Sequence, residues 1–108
     1  MKSIINLTPH DVTVVGIDGR VMVRIAPEAV SARCGNHIEV VGEVNGIPIT
    51  KTVYSKTYGL LPEQEDTYYI VSRYVAEQNP DRHDLLIPNE LVRDEAGNVV
   101  GCKSLSLL

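Results

Sequence analysis

The chain has 108 residues, 44% of them apolar and 22% charged, which fits one domain whose core buries roughly two-thirds of the unfolded surface. That balance excludes wholesale disorder and leaves no room for a second independent unit. The formal net charge is −4 and the six arginines and four lysines form no run, so nothing favours a non-specific grip on a nucleic-acid backbone.

With five tyrosines, no phenylalanine and no tryptophan, the core must come from valine, isoleucine and leucine, which favour strands. SIINL, residues 3–7, reads as a short apolar strand that stops at Thr8-Pro9-His10-Asp11, where proline removes a ladder donor and the polar residues suit a turn. VTVVGI and RVMVRI then flank Asp18-Gly19, a strong local signal for an antiparallel hairpin. Pro27 ends that strand. The stretch APEAVSARCGN is equally readable as a helical turn or an irregular crossing. HIEVVGEV and IPITKTVY lie on either side of Asn45-Gly46 and form a second hairpin, with Gly42 marking a bulge or a close backbone approach.

Residues 58–67, with a proline and the acids Glu63, Glu65 and Asp66, read as a solvated loop. TYYIVS is a fifth strand, on which Tyr68 and Tyr69 point to opposite faces. Ser72 is placed to cap a short helix through Tyr74, Val75 and Gln78, ended by Asn79-Pro80. DLLIP is a buried strand, NELVRD a turn of helix, Asp94–Asn98 a turn, and VVGCKSLSLL a final strand. A parallel strand–helix–strand unit could exist only in residues 68–87, where the crossover is short for one. The expected class is therefore α+β: an antiparallel hairpin core of six to seven strands, with one or two short helices in the C-terminal third.

No signal peptide is evident in MKSIINLTPHDV and no apolar run approaches the roughly 20 residues of a membrane span, which leads to a cytoplasmic expectation without a membrane partner. Glycine-rich phosphate loops, nucleophile elbows and zinc-helix patterns are absent from the sequence. Cys34 and His37 stand too close in an extended segment to face each other as a thiolate–imidazole pair. His10, His37 and His83 have no metal-ligand spacing, and Cys34 and Cys102 belong to no C-x-x-C pair and read as free thiols. No cofactor is implied.

What remains is an arginine set with neighbours: Arg73, Tyr74, Arg82, His83, Asp84 and Arg93. Arginine's planar fork suits phosphate or carboxylate, and a tyrosine beside arginines is what a base-and-phosphate ligand uses. Arg73 in the first turn of a helix disfavours that helix by a few tenths of a kcal/mol unless an acid or a bound anion offsets it. The same set also reads as ion pairs with Asp81, Asp84, Glu90 and Asp94 that fix the ends of loops, or, through Tyr and Arg, as a protein interface. His83 and Asp84 as an acid–base pair of a nucleotide hydrolase are weakened by adjacency, since neighbouring strand residues point apart.

Together, the opening IINLTPHDVTVV and the segments YIVS, DRHDLL and RDEAGNVVGC resemble a family of small uncharacterised proteins of bacteriophage and prophage genomes. The likeness covers both ends of the chain and is looser in the middle. It implies a viral accessory setting, in which small proteins work by stoichiometric binding. The expectation is a homo-oligomeric, non-enzymatic protein that sequesters a small phosphorylated nucleotide with Arg73, Arg82 and Arg93 for charge and Tyr74 for stacking. The alternative is an acidic module that inhibits a host protein through a strand edge or the loop 58–67.

Overall fold

A computed structural model describes residues 2–108. Eight strands and one helix follow in the order β1 (Ser3–Asn6), β2 (Val12–Val15), β3 (Val21–Ile25), β4 (Arg33–Val44), β5 (Ile47–Tyr58), β6 (Thr67–Ile70), α1 (Arg73–Gln78), β7 (Leu85–Arg93) and β8 (Val99–Ser106). Six of the strands make one sheet in the order β1-β6-β7-β8-β2-β3, while β4 and β5 pair only with each other. The chain is β-rich, as its composition predicts, but the sheet is mixed rather than an antiparallel hairpin core. β1 runs parallel to β6, β6 to β7, and β2 to β8.

Both hairpin signals act as read. Gly19 takes φ 81° at the β2–β3 turn, and Asn45 and Gly46 take φ 51° and 80° between β4 and β5, the doubly left-handed geometry that fits strand twist. The register shift between Val40 and Gly42 supplies the bulge that Gly42 announces. The ambiguous crossing is irregular: Asn6 bridges Pro27, the Glu28 N–H bonds the Asn6 carbonyl, and the Ala32 N–H bonds the Leu7 carbonyl. This segment thereby covers the outer edge of β1 at its Asn6 end, whereas the β3 edge stays open.

Two expectations about the last third are corrected. The parallel unit does form, because residues 71–84 give β6–α1–β7 the dozen or so residues that a crossover needs. The second helix does not: Asn89–Arg93 continues β7, where Leu91 and Val92 pair with Cys102 and Gly101 of β8. The one helix comes two-thirds of the way along the chain, ahead of a C-terminal stretch that is otherwise strand and turn.

Alternation on β6 divides the core in two. Tyr69, Val71, Val75, Ala76, Leu85 and Leu7 cluster on the α1 face, and Ile70, Val12 and Cys102 cluster on the other. No helix among the described residues is long and apolar enough to cross a membrane.

Candidate functional site

α1 begins where Ser72, in extended conformation, accepts a bond on its Oγ from the Val75 N–H, and it ends at Asn79, whose side chain reaches the Val75 carbonyl and the Thr57 hydroxyl. Its buried face is Val75 and Ala76. The opposite face presents Arg73 and Tyr74, both exposed, and the second of these meets the base of the β4–β5 hairpin. The Tyr74 ring stacks on Tyr54 of β5 at a centroid distance of 5.1 Å and 25° between planes, leaving Tyr74 55% exposed. Partial desolvation and the neighbouring Tyr74 raise the Tyr54 phenol above its ordinary pKa, so the Tyr54 ring stays neutral near pH 7. Arg73 Nε donates to Glu77 at 2.9 Å, the acid one turn on that offsets an unfavourable cation at a helix start. That pair is exposed, so it holds the guanidinium only weakly.

Arg82 behaves otherwise. Its side chain is 17% exposed and forks onto Asp84, 12% exposed, with Nε–Oδ1 2.9 Å and Nη2–Oδ2 2.8 Å. It also donates to the Leu61 carbonyl at 2.9 Å, approaches Glu63 at 3.4 Å and lies over the Tyr69 ring. These bonds hold the Asp84 carboxyl below the usual carboxylate range and the guanidinium above its own. Asp84 thus has both oxygens committed to Arg82, while His83 is exposed beside it. Arg93 donates to the Gly97 carbonyl across the β7–β8 turn, where Asp94 receives the N–H groups of Ala96 and Asn98.

The three arginines therefore do not converge. A cavity of about 290 Å³ takes in Arg82 and His83 with Ala76, Pro80, Leu85 and Leu108, and a second of about 230 Å³ takes in His83 and Asp84 with Glu63 and Tyr68. Neither contains Arg73 or Arg93. No protein-family model, curated protein or solved structure matches the chain. The geometry separates scaffold from surface: Arg82, Asp84 and Arg93 tie loop ends, while Arg73 and Tyr74 face outward.

Sequence reasoning missed two participants. Tyr54 sits in a segment read only as hairpin, and nothing local marks it as the partner of Tyr74, because the contact forms only once α1 docks on β5. Asn6 is the other. Fully buried, it donates through Nδ2 to the His10 and Ile25 carbonyls at 2.8 and 2.9 Å and accepts on Oδ1 from the Thr8 N–H and hydroxyl. The NLTPH stretch is thus a loop knotted around one amide. Three histidine, cysteine or acidic side chains do not gather anywhere among the described residues in a way that could hold a metal.

Proposed function

We propose that this is a phage-type accessory protein that captures a small phosphorylated nucleotide without turning it over, at the Tyr54–Tyr74 stack with Arg73 beside it. The observation that carries this reading is the exposed, pre-stacked Tyr74 ring next to a guanidinium held only by a solvent-facing acid. An exposed aromatic platform offers a base a stacking surface at little ordering cost, and Arg73 can exchange Glu77 for a phosphate. The ligand site is smaller than the sequence leads one to expect: Arg82, Asp84 and Arg93 support it from a distance or not at all.

Calorimetric titration with a panel of mono- and dinucleotides, preceded by native mass spectrometry of freshly purified protein, tests this. Micromolar binding is expected, weakened by roughly tenfold or more in Tyr74→Ala, as loss of one stacked base implies, and unaffected by Arg93→Ala. If no nucleotide co-purifies or binds at that level, the reading is wrong.

A second reading has its own observation. Residues 36–52 of the β4–β5 hairpin are exposed without a break and include Ile38, Val40, Val41, Val44, Ile47 and Ile49. A projecting ribbon of this kind is what a host-directed interaction module would insert into a partner. Pull-down from host lysate returning one stoichiometric protein, lost on Ile38→Asp, would support it over nucleotide capture.

A further inference from the structure

We propose that the neck of the β4–β5 hairpin, where β4 begins and β5 ends, binds a small amphipathic carboxylate, with its head on Arg33 and its hydrocarbon body against Leu7, Leu60 and Leu61. Arg33 and Tyr58 stand opposite one another in the ladder as the first residue of β4 and the last of β5. Their neighbours Cys34 and Thr57 turn toward α1, where the Cys34 thiol meets the Thr57 hydroxyl and the Tyr74 carbonyl. Adjacent strand residues point apart, so Arg33 and Tyr58 occupy the other face, away from the Tyr54–Tyr74 stack. There they line a cavity of about 310 Å³ with Ala29, Val30, Ser31 and Gly59.

This cavity is built for an anion. Arg33 is the one arginine of six whose side chain meets no partner among the described residues: Arg20 and Arg24 reach Asp18 and Thr13, Arg73 and Arg82 reach Glu77 and Asp84, and Arg93 reaches the Gly97 carbonyl. The N–H groups of Ala29, Val30 and Ser31 also bond nothing among the described residues, although Glu28 and Ala32 on either side are bonded to Asn6 and Leu7. Successive unbonded N–H groups beside an unpaired guanidinium suit the two oxygens of a carboxylate. No acidic side chain lines the cavity to compete for them.

The adjoining space defines the body of the ligand. A second cavity, about 460 Å³, shares Val30 and Gly59 with the first and is walled by Leu7, Leu60 and Leu61. The shared floor is main chain against main chain, since a Cβ on Gly59 would fall on the Ser31 carbonyl, so the fold itself fixes it. Volumes of this size are those of small-molecule sites. The apolar cavity holds one charged residue, Glu28, and the other holds Arg33, which makes the two ends opposite in sign. A molecule with one negative head therefore enters in one direction, head to Arg33 and body toward the leucines. A nucleotide would set its sugar hydroxyls against leucine and more than one charge against a single arginine.

Titration of the full chain with sodium octanoate and decanoate, read by calorimetry and by amide proton–nitrogen correlation NMR, tests this without any nucleotide. Saturable submillimolar binding is expected for decanoate, with octanoate weaker by about tenfold for the two methylenes it lacks. The amides of Ala29, Val30 and Ser31 should shift with octanoate and not with octanol, which has the chain without the charge. Arg33→Gln should weaken decanoate by roughly tenfold or more, as loss of a charge-assisted pair implies. Val30 is exposed between the two cavities, so Val30→Asp should abolish decanoate binding while the thermal unfolding midpoint stays that of the wild type. Absence of saturable binding up to several millimolar decanoate overturns the proposal. So does octanol binding as tightly as octanoate, or Arg33→Gln binding decanoate as the wild type does.

Discussion

Asn6 shows how much architecture one amide can carry. Its four part-buried hydrogen bonds tie β1 to the Thr8–His10 turn and to the end of β3, so Asn6→Ala leaves the Ile25 carbonyl and the Thr8 N–H without their partner, while the His10 carbonyl keeps only the Thr8 hydroxyl. A loss of about 2–4 kcal/mol in urea unfolding is expected. Asn6→Asp, nearly isosteric, should be no better, because a carboxylate cannot donate to the His10 and Ile25 carbonyls. The Arg82–Asp84 fork has a pH signature. Asp84 titrates lower in the folded chain than its unfolded value near 3.9, so its contribution is complete above that value and fades as pH falls through the folded one. Asp84→Asn should cost about 2–4 kcal/mol at pH 7 and should flatten the decline in stability below about pH 4. An acid limb as steep as that of the wild type would show that Asp84 does not couple to folding. At this scale the sequence was half legible: the spacing of Arg82 and Asp84 marks them as same-side neighbours, but no local rule says that the pair closes over Leu61 rather than over a ligand.

Among the elements, those with short-range determinants were readable and those decided by distant partners were not. Asp18-Gly19, Asn45-Gly46, Ser72 and Asn79-Pro80 each fix their turn or cap within a few residues. NELVRD carries equally local helix signals, Pro88 before it and acids around it, yet it is strand because β8 offers a ladder along its length. The parallel pairings of β1, β6 and β7 likewise join segments that sequence proximity cannot connect. Gly59 makes a sharper test. It takes φ 77°, and a Cβ there would fall on the Ser31 carbonyl, so Gly59→Ala meets both backbone strain and a clash with main chain. It should destabilise by about 2 kcal/mol or more, and Gly97→Ala, at φ 86° with open space around it, by about 1 kcal/mol. Equal losses in thermal unfolding would mean that the close approach to Ser31 is not held in solution.

The whole molecule is longer than its residue count demands. A compact domain of this length has a radius of gyration of roughly 13 Å, whereas this chain reaches 16.6 Å with extents of 52 × 38 × 23 Å. The excess belongs to the β4–β5 arm, and neither composition nor hairpin signals reveal that a hairpin will leave the body instead of joining its sheet. The signal that could have shown it is the absence of clean alternation: Ile38, Val40 and Val41 on one strand and Ile47 and Ile49 on the other leave no polar face and no single core face. Small-angle scattering should give a Guinier radius well above 13 Å at every concentration. A value near that of a sphere would show the arm folded back.

Where the arm joins the body there is a further consequence. The Ala32 N–H is bonded to the Leu7 carbonyl, and Gly59 lies in backbone contact with Ser31, so the chain departs and returns at one doorway. An excursion that closes on itself is topologically a graft. Residues can be removed or added in facing pairs along β4 and β5 without moving the doorway, which makes reach an adjustable property of the molecule, separable from the stability of the body that carries it.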